Sequence, residues 1–206
     1  MYIALEGIKG SGKSSIIQNI MGSPLGRITS LFPITEMAKA DTISERMLVV
    51  MPELKADDSF MEKLFLNRAI YNNGKVDIHK PLILGDRSIL TAYVTRWEKW
   101  KDPGYAIKRI EQQYKNVRKP DVIVFMENTV QKSILNIAGR KQKTTGQQDE
   151  KYESLALADS IYRTLLFGGE YRRKIGRAQV IRLQAGAELD LITTEINKIL
   201  KYYAKK

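Results

Sequence analysis

Apolar and polar positions along the chain follow two rhythms. Short apolar, β-prone runs at 2–5, 27–32, 81–85, 121–126 and 179–183 read as strands. The run ending at Met126 is continuously apolar after Asp121, the pattern of a strand buried on both faces. Between the strands lie longer stretches with helical spacing. One begins at Ser15, and one spans 35–50 with Thr35 as its cap and Pro52 as its stop. Another is capped by Asp57 or Asp58, continues to Tyr71 and ends near Asn72-Asn73-Gly74. Further helices are expected over 88–100, 105–117, 130–138, 150–166 and 188–203. This alternation predicts an α/β fold, an open parallel five-stranded sheet with helices on both faces and ligands at the carboxyl ends of the strands. Without an internal repeat, linker or break in composition, residues 1–206 read as a single domain.

Composition narrows the picture only a little. A chain of 206 residues with 43% hydrophobic and 28% charged residues has enough apolar material for one sizeable core. It holds no apolar run of the roughly eighteen residues that would suggest a membrane span. Met1 leads straight into the first strand and cysteine is absent, so a cytoplasmic protein without a signal peptide or disulfides is expected. A formal charge of +11 attracts anions, and by itself does not separate nucleoside phosphates from nucleic acid.

The strongest chemical signal follows the first strand. Gly7-Ile8-Lys9-Gly10-Ser11-Gly12-Lys13-Ser14 fits G-x-x-x-x-G-K-[ST], with a strand before it and a helix from Ser15 after it. Glycines such as Gly7, Gly10 and Gly12 let backbone N–H groups curl around a phosphate. The helix N-terminus adds partial positive charge, Lys13 reaches the β- and γ-phosphates, and the Ser14 hydroxyl is a hard ligand for Mg²⁺. ATP binding through Gly7, Lys9, Gly10, Ser11, Gly12, Lys13, Ser14 and Ser15 is therefore expected, with Mg²⁺ as cofactor.

A second feature is Gly85-Asp86-Arg87-Ser88, at the end of the third strand. Either Arg87 grips a second phosphate while Asp86 positions a hydroxyl or holds Mg²⁺ through water, or the pair is a strand-end ion pair capping a helix. The glycine loop over the same crevice favours the functional choice. A third is the polar, basic stretch 139–150, which carries Arg140, Lys141 and Lys143 between Gly139 and Gly146. It reads as a lid bringing cations onto a transferring phosphate or as an ordinary solvated loop. Glu127 after the fourth strand could orient a metal-bound water, although acids at strand ends are common.

In combination these residues resemble the thymidylate kinases, a family of P-loop nucleoside monophosphate kinases. The resemblance runs through Glu6–Ser15, Phe32-Pro33, Asp86-Arg87, Lys119-Pro120-Asp121, the lid, Glu150-Lys151-Tyr152-Glu153 and Leu183-Gln184-Ala185. It implies transfer of the ATP γ-phosphoryl to dTMP with Mg²⁺, in a homodimer. It also implies that Arg87 binds the acceptor phosphate and that Asp86 poises that phosphate and the metal waters. Tyr152 would lie by the deoxyribose with Glu153 beside it, and Phe65 and Arg68 would meet the base. Gly10 stands where one subgroup has an arginine, so Arg140 and Lys143 of the lid would supply the catalytic cations.

Several residues depart from that family. Lys9 replaces an acidic residue, no arginine follows Phe32-Pro33, and Phe65 lies three rather than four residues before Arg68. Ser88 after Asp86-Arg87 resembles the related deoxynucleoside kinases. Phosphorylation of dTMP is accordingly the leading expectation. A deoxynucleoside kinase using Asp86 as base on a 5′-hydroxyl is the alternative. A nucleotide-switched nucleic-acid-binding protein is a third reading; the sequence shows no aromatic-rich basic platform for it, so nucleic acid is not the expected partner.

Overall fold

In the first strand, β1 (Tyr2–Glu6), every residue is buried, because successive side chains enter two different cores. Ile3 and Leu5 join Leu82, Leu84, Val122, Val124 and Met126 on one face of the sheet. That face is covered by α1 (Lys13–Met21) through Ile16, Ile17 and Ile20, and by α10 (Leu189–Ala204) through Ile192, Ile196 and Leu200. Tyr2 and Ala4 join Phe32, Ile83, Ile123 and Phe125 on the other face. There the cover comes from α4 (Asp58–Gly74), α5 (Ile89–Arg96), α6 (Pro103–Gln113) and α8 (Tyr152–Phe167). The structure is a computed structural model and describes residues 1–34, 42–96, 103–139, 151–174, 176–185 and 189–205.

The other strands are β2 (Thr29–Pro33), β3 (Leu82–Asp86), β4 (Val122–Glu127) and β5 (Gln179–Gln184). All pair in parallel, in the order β2-β3-β1-β4-β5. From β1 the chain runs to the edge strand β2, returns to β3 between the two, then crosses to β4 and β5 on the other side. The reversal places a crevice over the carboxyl end of β1, where ligands of doubly wound sheets bind. The register is tied by Asp121, whose Oδ2 accepts the Tyr2 N–H at 2.7 Å.

The five expected strands are present, and differences from the sequence expectation have local causes. Ser23 caps a short helix, α2 (Pro24–Arg27), which takes Arg27 out of the second strand. Pro33 lies inside β2 rather than after it, which an edge strand tolerates. The helix expected from Thr35 is described from Thr42 as α3 (Thr42–Val50), and residues 35–41 lie outside the described residues. A 3₁₀ turn over Pro52–Lys55 and the short α9 (Gly169–Lys174) were not expected. The remaining helix is α7 (Val130–Ala138), capped by the Thr129 hydroxyl.

α7 packs directly on the glycine loop. A Cβ built on Gly10 would lie 2.4 Å from the Ser133 carbonyl oxygen, whereas one on Gly12 meets nothing within 4 Å. Both residues have left-handed backbones, with φ +86° and +90°. Comparing Gly10→Ala with Gly12→Ala therefore isolates the packing. In urea unfolding Gly10→Ala should lose about 1–3 kcal/mol more, the usual cost of overpacking. Equal losses would show that α7 yields.

Candidate active site

The loop that leaves β1 is shaped by three positive-φ glycines, Gly7 at 139°, Gly10 at 86° and Gly12 at 90°. Lys13 folds back across it. Its Nζ donates to the carbonyls of Gly7 and Ile8 and to the Ser11 hydroxyl, each at 2.8 Å. The ammonium is thus buried within the curl that is shaped to take phosphate oxygens. Ser14 and Ser15, in the first turn of α1, are exposed. From the other side, Asn136 Nδ2 donates to the Gly10 carbonyl at 2.8 Å and Asn128 Nδ2 to the Ser133 hydroxyl at 2.9 Å. Gly10, Ser11, Gly12 and Ser15 face Lys132, Leu135 and Asn136 across an open cavity that extends to Ala185 and Ile192.

Beside the loop, β1 ends in a carboxylate with no access to water. Glu6 is 0% exposed and accepts hydrogen bonds from Ser88 at 2.6 Å, Tyr162 at 2.9 Å and Thr91 at 3.1 Å. Burial pushes its pKa above the ordinary carboxylate value, against the opposing pull of the Ser88 hydroxyl, the Arg87 charge, Tyr162 and Lys13. Arg87 is held in the left-handed region, φ 69°, a conformation costing a non-glycine residue on the order of 1–2 kcal/mol. Its N–H donates to the Leu5 carbonyl at 3.1 Å, and its carbonyl accepts from the Tyr2 hydroxyl at 3.2 Å. Its guanidinium NH1 reaches Tyr162 at 3.3 Å and Thr91 at 3.5 Å. Burial disfavours this cation, but the oxygens of Tyr162, Glu6 and Asp86 outweigh that and raise its pKa. Arg87 and Lys9 share the wall of a cavity between α5 and α8.

A third, more apolar cavity opens between α4 and α5. Ile34, Phe65, Ala69, Ala92 and Tyr114 form most of it, with Ser88, Thr91, Thr95 and Arg96 on the same wall. Arg68, one turn beyond Phe65, places its guanidinium carbon 5.6 Å from the Phe65 ring centroid, within cation–π range.

The structure therefore brings together Gly7, Lys9, Gly10, Ser11, Gly12, Lys13, Ser14, Ser15, Asp86 and Arg87 over β1, with Phe65 and Arg68 beside them. Asp86 is half-buried, and among the described residues its carboxylate accepts no hydrogen bond. Tyr152 and Glu153 are exposed in the first turn of α8 and line neither of these two cavities. Arg140 and Lys143 lie outside the described residues. Glu127 accepts from Arg163 at 2.9 Å and Gln184 at 3.0 Å, so its carboxylate ties β4, β5 and α8 together.

Sequence reasoning gave no role to Glu6, Thr91, Arg96 or Tyr162. An acid closing an otherwise apolar central strand was the available signal for Glu6; nothing local marks Tyr162.

No protein-family model matches the sequence, and no curated protein does. Solved structures match the fold. A deoxyadenosine kinase from M. mycoides with products dCMP and a flexible dCDP bound aligns at TM-score 0.65 and 17% identity, covering 98% of this chain and 99% of that one. A structure of deoxyadenosine kinase from M. mycoides with bound dATP aligns at 0.64 and 17%, covering 98% and 100%. This chain has the fold of a P-loop kinase.

The raised pKa of Glu6 has a consequence for stability. The native state keeps this proton at pH values where the unfolded chain has released it. Stability from this group is full below the unfolded value, about 4.3, and declines as pH rises toward the folded one. Glu6→Gln removes that decline. Its stability relative to wild type, from urea unfolding at a series of pH values, should improve as pH rises above the ordinary carboxylate range; a constant difference would exclude the linkage.

Proposed function

We propose that the chain is a deoxynucleoside kinase, moving the ATP γ-phosphoryl to the 5′-hydroxyl of a deoxynucleoside. The observation that carries this reading is the charge balance around Arg87. In a monophosphate kinase this guanidinium would greet the acceptor phosphate. Here it points to the Thr91 and Tyr162 hydroxyls, and the carboxylates of Glu6 and Asp86 offset its charge. A neutral acceptor suits that balance better than a dianion. The two solved structures of M. mycoides deoxyadenosine kinase, which share the fold, support the same choice.

In this reading ATP lies along the glycine loop, with the N–H groups of Gly10, Ser11 and Gly12, the N-terminus of α1 and Lys13 around its β- and γ-phosphates. A bound Mg²⁺ would offset the charge of those phosphates. The exposed Ser14 hydroxyl and the Asp86 carboxylate, the latter through water, fit such an ion. The base of the acceptor enters the α4–α5 cavity against Phe65, which Arg68 holds from one side. Asp86 takes the 5′-hydroxyl proton as the oxygen–phosphorus bond forms, and ADP leaves with the electron pair of the bond that breaks. Arg140 and Lys143 would close over the transferring group as lid cations.

Thymidylate kinase is the second reading. Lys9 favours it, being a further cation on the wall shared with Arg87 where an acceptor phosphate would lie.

ADP release from ATP·Mg²⁺ across deoxynucleosides, dNMPs and NMPs separates these readings. At least one deoxynucleoside should outpace dTMP. Asp86→Asn should lower kcat by about 10²–10⁴-fold, and Lys13→Ala by on the order of 10²–10³-fold. Faster turnover of dTMP than of any deoxynucleoside would hand the assignment to the monophosphate kinase. Salt-sensitive DNA binding without turnover would remove both.

A further inference from the structure

Arg96 is out of place on its wall. It closes α5 at the edge of the largely apolar cavity formed by Ile34, Phe65, Ala69 and Ala92. It is 8% exposed, and among the described residues its guanidinium makes no hydrogen bond and no ion pair. Guanidinium carries five N–H donors in a fixed plane, has no acceptor and keeps its charge at any ordinary pH. An acceptor that enters the cavity beside such a fork gains charge-assisted hydrogen bonds from it. Among the described residues, the acid whose charge acts on Arg96 does not fill the role. Glu62 receives the Gln113 amide and lies 3.7 Å from Arg109, and it acts on Arg96 only through its field.

The other polar groups on the wall are largely committed. Ser88 and Thr91 donate to Glu6, and Thr95 donates to the Thr91 carbonyl at 2.9 Å. Tyr114 keeps its phenol proton, because burial pushes its pKa up to about 12. With their protons committed, the hydroxyls of Ser88, Thr91 and Thr95 keep only lone pairs for a ligand, and the fork of Arg96 is the main donor group on this wall.

Resting on the reading of this cavity as the acceptor's base pocket, we propose that Arg96 is a specificity-determining residue. It selects bases that present two neighbouring acceptor atoms to the fork. Guanine does so through O6 and N7, the pairing that arginine makes most often with a base edge. Cytosine does so through O2 and N3. Adenine sets its amino N–H groups beside N1 and N7, and thymine sets N3–H between O2 and O4, so each turns a donor or a single acceptor toward Arg96. Phe65 supplies stacking that any base accepts, which leaves discrimination to the polar edge.

The test measures calorimetric binding of the four deoxynucleosides to the full chain and to Arg96→Met and Arg96→Lys, with turnover followed in parallel. Deoxyguanosine or deoxycytidine should bind most tightly. Arg96→Met should weaken that favoured base by about 5- to 150-fold, the worth of one bidentate base contact, and thymidine by less than about threefold. Arg96→Lys should lose most of the preference too, because a point charge does not span two acceptors; this variant retains the charge should the methionine variant fail to fold. With 7-deaza-2′-deoxyguanosine, weakened binding identifies the guanine mode, and full binding with a deoxycytidine preference identifies the cytosine mode. Preference for adenine or thymine, or equal weakening of all four bases in both variants, overturns the proposal. Binding with the expected preference but no nucleoside phosphorylation would sink the kinase reading alone. Phosphorylation without an Arg96-dependent preference would sink this inference alone, and no binding of any deoxynucleoside would sink both.

Discussion

The Glu6 carboxylate is the constraint on which the site depends. It lies where the central strand meets the turn after β3 and the helices α5 and α8, and three hydroxyls, one each from that turn, α5 and α8, close on it. Its direction follows from the strand period. Residue 6 shares the face of Tyr2 and Ala4, so it enters the core that α5 and α8 cover. An isolated carboxylate there would cost several kcal/mol, and its hydrogen bonds and the Arg87 charge offset that cost. The same contacts fix Tyr162 and Thr91, which in turn receive the Arg87 guanidinium. A strained residue held from both its backbone and its side chain is preorganised, and such strain gathers at functional sites.

The glycine loop is rigid for a related reason. Lys13 satisfies its three donors on the loop itself, so the loop keeps its curl before any phosphate arrives. α7 then presses its backbone against Gly10. That contact also explains why no arginine occupies position 10: the space its Cβ would need belongs to the Ser133 carbonyl. Asn136 and Asn128 turn this close approach into hydrogen bonds rather than mere crowding. Lys9, the basic residue before Gly10, lines the cavity between α5 and α8 instead.

Much of this was legible in the sequence, and the limits are physical. The strands were readable because buried parallel strands are short, apolar and bounded by polar turns. The glycine loop was readable because its function fixes residue types at fixed spacing. The short helices α2 and α9 escaped notice because pieces of four and six residues are too short to show a helical period. Glu6 and Tyr162 are 156 positions apart, and no local pattern predicts that they touch. Phe65 and Arg68 were legible as a pair on one helix, but the sequence could not say that the arginine lies over the ring. Tyr152 and Glu153 were placed by resemblance, and the first turn of α8 exposes both.

The two arginines of the β3–α5 segment have different surroundings. Arg87 lies just before α5 and Arg96 at its end; burial disfavours the charge of both, yet the pKa of Arg87 is raised and that of Arg96 lowered. Around Arg87, two carboxylates and two hydroxyls compensate, which makes it a fixed part of the frame. Around Arg96, a single engaged glutamate and a phenol act only at a distance, which leaves its donors for whatever enters the cavity. The formal charge of +11 therefore says little about the chemistry. What matters is which guanidinium already has its partners, because a satisfied cation shapes a site and an unsatisfied one selects what binds there.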